Sequence, residues 1–270
     1  MPHFPRFLLA AAAGLLLTAC DLIDYHPYDT RVSGPHDLNR RNIERIERNL
    51  AGRDSVRFAV MSDTQRWYDE TNDCVRAINR RGDVDFVIHC GDVSDFGVSR
   101  EFELQRDIFE KLDMPYVVLL GNHDCLGTGA DTYRYLFGAP NFAFNAGSLH
   151  VLCLNTNAFE YDYSTAVPDF AFIRTDREQL PEGVKHTVVA MHAQPLSDQF
   201  NNNVAEVFEQ EIRRYPGLRF CLCGHEHHVA ANEWFGDGVV YYESACAKYR
   251  SYLLFTIHPD GSYDYEDVSY

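Results

Sequence analysis

Short apolar runs, each followed directly by polar residues, recur along the first half of this chain. Runs of this length and composition are typical of strands that are buried on both faces. After the third run we expect Gly121 to let the backbone turn sharply. The three runs, with the polar residues that follow them, are Val56–Met61 before Ser62-Asp63-Thr64-Gln65, Asp85–Cys90 before Gly91-Asp92-Val93-Ser94-Asp95, and Val117–Leu120 before Gly121-Asn122-His123-Asp124.

Helical spacing fills the intervals between these runs. Val75 and Ile78 indicate one amphipathic helix, and the apolar residues of the interval from 102 to 112 indicate another. Strand, helix, strand, helix, strand within about seventy residues predicts parallel pairing with right-handed crossovers.

The second half continues the pattern, so we predict a layered α/β sandwich. Two C-terminal runs are expected to be antiparallel strands, with a Pro-Asp-Gly hairpin turn. The predicted elements are the strands Ser148–Leu154, Thr187–Met191 (ending at His192) and Leu218–Cys223 (ending in Gly224-His225-Glu226-His227-His228), the helix Val204–Arg214, the antiparallel strands Val239–Tyr242 and Tyr252–Ile257, and the turn Pro259-Asp260-Gly261.

The amino terminus has the pattern of a targeting signal. Arg6 precedes an apolar run over 7–17 that is short for a membrane span. The run closes on Leu17-Thr18-Ala19-Cys20, which resembles a bacterial lipoprotein cleavage box. We therefore expect a signal peptide over 1–19, lipidation of Cys20 and a lipid-anchored protein of the bacterial cell envelope, at the periplasmic or surface face. The alternative is an ordinary secretory signal with a chance cysteine.

The domain organisation follows from this reading. Residues 20–55 are polar, and we expect a tether and an N-terminal helix around Leu38–Leu50. Residues 56–270 are expected to form one α/β domain, a size that can bury a full core.

Charge and cysteine content exclude some functions. A formal charge of −16 argues against wrapping of nucleic acid, which requires a basic surface. Apart from Cys20 there are seven cysteines, so at least one is expected to stay unpaired. No Cys-x-x-Cys occurs, and a structural zinc ribbon is not expected.

Five predicted strands end in residues that can bind metal. Parallel topology brings such ends together. Carboxylates, imidazoles and an amide oxygen suit divalent ions such as Mn, Fe or Zn. So many ligands suit two ions that share a carboxylate, as pairs ~3.5–4 Å apart do in phosphoryl displacement. The residues are Asp63 and Gln65, Asp92 and Asp95, Asn122 and His123, His192, and His225 and His227.

This ordered set of motifs resembles the calcineurin-like metallophosphoesterase superfamily, here as a bacterial lipoprotein member. The resemblance covers Val56 to about Tyr242. It implies a layered α/β/β/α sandwich of two mixed sheets flanked by helices. It also implies a dinuclear metal site at the carboxyl ends of the strands.

The resemblance implies a role for each motif residue. Asp92 would bridge both ions, and His123 would lie over the pair to stabilise the phosphoryl group or protonate the leaving oxygen, oriented by Asp124. Asp95 would act as an orienting carboxylate beside the site. The other implied ligands of the first ion are Asp63 and His227, with Gln65 at the third position of the motif that begins at Asp63. Those of the second ion are Asn122, His192 and His225.

Gln65 departs from the family pattern, in which the first motif usually reads Asp-x-His. A glutamine carbonyl is a weaker ligand than imidazole. We expect the first ion to bind less tightly or to be a harder metal such as Mn.

The function that follows is hydrolysis of small phosphate mono- or diesters by a hydroxide held between the two ions. The alternatives are a binding lipoprotein that keeps the fold without catalysis, and a two-metal hydrolase acting on amides. Substrate contacts stay open: Arg66 could hold a phosphate, and the aromatic stretches 66–68 and 157–163 are either pocket walls or plain surface. His89 and His150, inside strands, are expected to be structural.

Overall fold

The computed structural model describes His26 and residues 28–270. Cys20 and the predicted signal peptide, residues 1–19, lie outside this range. Within residues 28–270 the chain forms six α-helices and eleven strands. The helices are α1 (Leu38–Leu50), α2 (Tyr68–Arg81), α3 (Ser99–Phe109), α4 (Gly129–Leu136), α5 (Phe170–Glu178) and α6 (Ala205–Ile212). The strands are β1 (Val56–Met61), β2 (Phe86–His89), β3 (Tyr116–Val118), β4 (Phe142–Ala146), β5 (Leu149–Leu154), β6 (His186–Met191), β7 (Leu218–Cys223), β8 (Ala230–Asn232), β9 (Val240–Glu243), β10 (Ser251–Ile257) and β11 (Tyr263–Ser269).

The strands form two mixed sheets. The first has the order β11-β10-β1-β2-β3, with β1, β2 and β3 parallel and with β10 and β11 antiparallel to their neighbours. The second has the order β4-β5-β6-β7-β9-β8, in which β5, β6, β7 and β9 are parallel and both edge strands are antiparallel. The predicted parallel pairing of the first three strands is confirmed.

Three apolar clusters separate four layers. The central cluster lies between the sheets, where the rings of Phe220 and Phe255 stack with centroids 4.7 Å apart. A second cluster joins the outer face of the first sheet to α2, α3 and α4, and a third joins the second sheet to α5 and α6. The predicted α/β/β/α sandwich of two mixed sheets flanked by helices is therefore confirmed.

Two predictions about strands need correction. β3 ends at Val118, although Leu119 and Leu120 are buried as a strand would be. β9 was expected to be antiparallel, but it pairs in parallel with β7 and is antiparallel only to the short β8. The sheet thereby gains a fourth parallel strand whose carboxyl end lies beside that of β7.

The predicted helix in the N-terminal segment is α1, and it belongs to the packed structure. Its Leu38 enters the outer cluster, and Ile46 enters the central one. The Asn39 amide pairs with the backbone of edge strand β3, accepting from the Val118 nitrogen at 2.9 Å and donating to its carbonyl at 2.8 Å. Asn39 thus completes hydrogen bonds that an edge strand would leave open.

The stretch before α1 also packs on the domain. The carbonyl oxygen of Tyr28 accepts from Thr128 Oγ1 at 3.0 Å, and the Tyr28 ring lies against Gly127. Glu103 accepts hydrogen bonds from the backbone and the hydroxyl of Ser33. From Tyr28 onward, the segment predicted as a tether is fixed to the surface beside α3 and α4.

The cysteines between residues 28 and 270 are all free thiols. Cys221 and Cys223 both face the third apolar cluster, as their alternation along β7 predicts. Within the described part of the chain, the helices are too short or too polar to cross a membrane.

Candidate metal centre

The loops that follow β1, β2, β3, β6 and β7 meet at one edge of the two sheets, where glycines allow close contact. A Cβ on Gly224 would lie 1.9 Å from Ser62 Oγ, and one on Gly91 would lie 2.8 Å from His192 Nδ1. At Gly121 a Cβ would lie 2.1 Å from the Asp92 backbone nitrogen. Gly121 is not among the residues with positive φ. Glycine is therefore required at this position by the close approach of Asp92 and not by a left-handed backbone conformation.

Four of the predicted ligands adopt left-handed backbone conformations. The φ angles are 53° for Asp63, 62° for Asp92, 73° for His225 and 64° for His227. Such angles are uncommon for residues with a Cβ and cost free energy, and they concentrate at functional sites. The surrounding loops therefore hold these side chains in a fixed and slightly strained arrangement.

Asp63 and His227 meet on one side of the centre. Asp63 Oδ1 is buried, lies 3.2 Å from His227 Nε2 and accepts no well-formed hydrogen bond. The neighbouring Gln65 donates from Nε2 to Asp92 Oδ2 at 3.3 Å, whereas its own Oε1 is buried without a partner. Asp63 Oδ1 and Gln65 Oε1 are thus buried without a hydrogen-bond donor, although buried polar atoms normally have one.

Asn122, His192 and His225 meet on the other side. Asn122 Oδ1 lies 2.9 Å from His192 Nε2 and 3.2 Å from His225 Nδ1. Asp92 lies between the two sides, since its Oδ1 is also 3.5 Å from His192 Nε2. The structure therefore brings together all seven side chains that were predicted to bind metal.

The protons of the two imidazoles are held on the far side of each ring. His192 Nδ1 lies 2.8 Å from the carbonyl oxygen of Cys90, which can only accept, so Nδ1 carries the proton. In the same way, His225 Nε2 lies 2.8 Å from an oxygen of Asp198. The remaining ring nitrogen of His192, Nε2, then presents a lone pair toward Asn122. Burial lowers the pKa of His192 to about 4, so the ring is neutral at neutral pH.

These features fit divalent cations. Ligand atoms of Asp63, Asp92 and His192 lie within 4.8 Å of one another, and all three residues are buried. Burial raises the pKa of Asp92 well above its ordinary value, and the nearby carboxylates of Asp63 and Asp124 raise it further. Carboxylates crowded at one site favour the binding of positive charge there, which metal ions supply.

His123 lies beside this set, and its ring contacts Asp95. Its Nδ1 is 2.9 Å from the Asp95 carbonyl oxygen and 3.8 Å from Oδ1 of the same residue. The Asp95 carboxylate also pairs with Arg66. The prediction that Asp124 orients His123 is therefore wrong, because that position is taken by Asp95.

Asp124 instead holds the backbone of two loops. It is fully buried, and its two oxygens accept from the backbone nitrogens of Asp92, Val93, Ser94 and Gly121 at 2.7–3.0 Å. Burial raises its pKa to about 6, while the backbone amides and the Ser94 hydroxyl oppose that rise. Since all of these partners donate, Asp124 acts as an anion that shapes the loop of Asp92.

Other predictions about nearby residues can be placed. His89 contacts Thr64 Oγ1 at 2.9 Å, and His150 contacts Asn145 and Asp176, so both are structural as predicted. The stretch 157–163 contributes to a cavity of about 360 Å³ that Tyr161 and Tyr163 help to line.

Sequence reasoning missed Asp198, which fixes the His225 ring. Asp198 follows no spacing rule, so no local signal marks it. It also missed the segment from Cys246 to Tyr249, which reaches the centre only through the fold.

Comparisons with known proteins agree with this fold and this centre. A family model described as Calcineurin-like phosphoesterase matches residues 56–229. No match was found among the curated proteins.

Several solved structures are similar to this chain. GAP50, described as the anchor in the inner membrane complex of Plasmodium, is 11% identical with a TM-score of 0.61 over 80% of this chain and 84% of that one. A dimetal phosphatase from Danio rerio is 10% identical with a TM-score of 0.59 over 75% and 93%. The purple acid phosphatase PPD1 from yellow lupin (Lupinus luteus) seeds is 11% identical with a TM-score of 0.58 over 79% and 51%. At these identities the likeness shows a shared fold.

Proposed function

Because the chain belongs to the calcineurin-like phosphoesterase family, we propose that it hydrolyses phosphate mono- or diesters with two divalent ions of Mn, Fe or Zn. The family as a whole supports metal-dependent hydrolysis of phosphate esters. The observation that carries the proposal for this chain is the convergence of imidazole nitrogens, buried carboxylates and the Asn122 oxygen at one site.

The contacts divide the ligands into two groups. Asp63 and His227, with Gln65 nearby, would hold one ion, whereas Asn122, His192 and His225 would hold the other. Asp92 touches both groups and would be shared. Bound there, the two ions would stabilise the negative charge of a phosphoryl displacement and lower the pKa of water to the neutral range.

His123 is positioned to move a proton at the leaving oxygen. Its Nδ1 faces Asp95, so Nε2 is the ring nitrogen that can reach a substrate. The contact with the Asp95 carbonyl oxygen fixes the direction in which Nε2 points, and from there Nε2 can pass a proton to the leaving oxygen. Asp124 acts indirectly, because its carboxylate holds the backbone of the loops that carry Asp92 and Gly121.

The expected location completes the proposal. An exported protein with a lipid on Cys20 would work at the bacterial cell envelope, on a small phosphate ester as its substrate. Radiolabelled palmitate should enter the protein in a bacterial host that processes lipoproteins, and a Cys20→Ser variant should take up none. Label that persists in the variant would rule out Cys20 as the lipidated residue.

A direct assay tests the chemistry. The full-length protein in detergent is supplied with Mn and given bis(p-nitrophenyl) phosphate beside p-nitrophenyl phosphate. We expect turnover of at least one ester, and its loss together with bound metal in Asp92→Asn. Wild-type turnover in Asp92→Asn would refute the shared role of Asp92, while the preferred ester would distinguish a diesterase from a phosphatase.

The second candidate is a binding lipoprotein that keeps the fold without catalysis. Gln65 at a position where the family usually has histidine favours it, and GAP50, which has this fold, is described as an anchor. Metal bound in full amounts with no turnover of either ester would favour this candidate over hydrolysis.

A further inference from the structure

A pocket of about 190 Å³ opens beside the candidate metal centre. Gln65, His123 and His227 form the wall that it shares with the centre. Trp67, Lys248 and Tyr249 form the opposite wall, and none of them is a predicted metal ligand. A substrate whose phosphoryl group lies at the centre would therefore have room to place its remaining atoms here.

The wall that carries Lys248 is fixed to the loops of the centre. The Cys246 nitrogen donates to the His227 carbonyl at 3.3 Å, and the Ala247 nitrogen donates to the Asp63 carbonyl at 3.3 Å. Cys246 also forms a parallel β-bridge with Ser62. The Lys248 side chain thus starts from a backbone that the ligand loops hold in place.

Lys248 supplies a positive charge to this pocket. Its Nζ lies 5.5 Å from the ring centroid of Trp67 and 5.8 Å from that of Tyr249. Within residues 28–270 no Asp or Glu pairs with it. The rings hold the ammonium group by cation–π attraction and leave its hydrogen-bond donors free.

Arg66, the other cation of the pocket, is different. Its guanidinium already pairs with Asp95, which contacts His123. Arg66 therefore belongs to the His123 assembly, and Lys248 is the cation that remains available to a ligand.

The charge of the protein explains why such a cation matters. A net charge of −16 repels anionic substrates at long range, so attraction has to come from local groups. The face of Trp67 is already covered by an ammonium group, which favours binding of an anion over stacking of a base.

We infer that this pocket is a subsite for a second anionic group carried by the phosphate ester, and that Lys248 binds that group. The inference rests on the proposed function for the position of the phosphoryl group. It adds that preferred substrates carry a carboxylate or a second phosphate in the part of the molecule that is not attacked.

Two phosphonates test this without turnover, since their C–P bonds are not phosphate esters. 3-Phosphonopropionate carries a carboxylate, and propylphosphonate has a methyl group in its place. Both are titrated calorimetrically into the Mn-loaded protein. We expect 3-phosphonopropionate to bind about tenfold more tightly, which one charge-assisted hydrogen bond provides.

The variants assign this preference to one side chain. Lys248→Met should bring the affinity ratio close to one, and Lys248→Arg should restore most of it. Lys185→Met is the matched control, because it removes a surface lysine paired with Asp54 and should leave the ratio unchanged. In a Trp234→Phe background, where Trp67 is the remaining tryptophan, only the anionic ligand should change the fluorescence.

Equal binding of the two phosphonates to the wild-type protein, or an unchanged ratio in Lys248→Met, would overturn the inference. These results are independent of ester hydrolysis. An inactive protein with a Lys248-dependent ratio would refute the proposed function alone, and an active protein without that ratio would refute the subsite alone.

Discussion

The carboxylate of Asp124 lies 2.9 Å from the backbone nitrogen of Gly121, three residues earlier, and 3.0 Å from that of Asp92 on a different loop. One oxygen, Oδ2, accepts both hydrogen bonds. This single atom therefore ties the loop after β2 to the loop after β3, and it sets how Asp92 and Asn122 face each other.

Replacing Asp124 by asparagine should destabilise the protein. The amide group would put a donor where the carboxylate accepts from backbone amides, and those buried amides would lose partners. We expect the free energy of unfolding to fall by about 2–4 kcal/mol, measured by urea denaturation in EDTA. Asp131→Asn, an exposed change within an ion pair to Arg134, should have little effect. Equal stability of Asp124→Asn and wild type would show that the loops do not depend on this carboxylate.

Replacing Gln65 by histidine should tighten binding of the first ion. The Gln65 side chain lies beside Asp92 and has a buried oxygen without a partner, so an imidazole there could add a stronger ligand. We expect at least tenfold tighter Zn binding, comparable to the effect of ligand-supporting groups, measured by competition with a chelator. Unchanged affinity and unchanged metal preference would contradict this view of Gln65.

Replacing Asp95 by asparagine should slow the hydrolysis of alkyl esters more than that of nitrophenyl esters. This carboxylate pairs with Arg66 and lies 3.8 Å from His123 Nδ1, so its loss should disturb the placement of the His123 ring. Nitrophenolate leaves without a proton, whereas an alkoxide requires one. We expect kcat to fall roughly 10²-fold for an alkyl phosphate and much less for p-nitrophenyl phosphate, with metal content unchanged. Equal losses for both esters would argue against proton donation by His123.

Replacing Glu209 by glutamine should change how stability depends on pH. Glu209 is buried beside Tyr241, and burial raises its pKa from 4.5 to about 7. The folded state therefore holds this proton more tightly than the unfolded state. The stability that the proton contributes is complete below pH 4.5 and is lost as the pH rises through 7.

The free energy of unfolding of the variant, relative to that of the wild type, should therefore rise by about 1 kcal/mol or more between pH 5 and pH 8. Urea denaturation at the two pH values measures the gain. Glu206→Gln, an exposed change on the same helix, is the control. A constant difference between Glu209→Gln and wild type across this range would show that Glu209 is ionised throughout.

The convergence of these side chains could be predicted from the sequence because its signals are local. The strands β1, β2, β3, β6 and β7 are apolar runs, and predicted ligands follow each of them within a few residues. Parallel topology therefore places Asp63, Asp92 and His192 together. Gly91 and Gly224 stand where the loops touch and a Cβ has no room.

What the sequence did not predict depends on long-range contacts. β8 has three residues without β-branching, and only pairing with β9 makes it a strand. The adjacent carboxylates of the motifs could not be told apart, so Asp124 was assigned the contact that Asp95 makes. Lys248 lies more than a hundred residues from His123 and shares no pattern with it.

Tyr28 packs beside Gly127 and Thr128, and it therefore lies next to the loop that carries His123. Seven residues lie between Cys20 and Tyr28, and a fully extended chain from one to the other spans roughly 30 Å. With the proposed lipid on Cys20, Tyr28 and the loop of His123 beside it would stay close to the membrane surface. The candidate site would then meet lipid head groups and soluble esters close to the membrane before it meets molecules farther away.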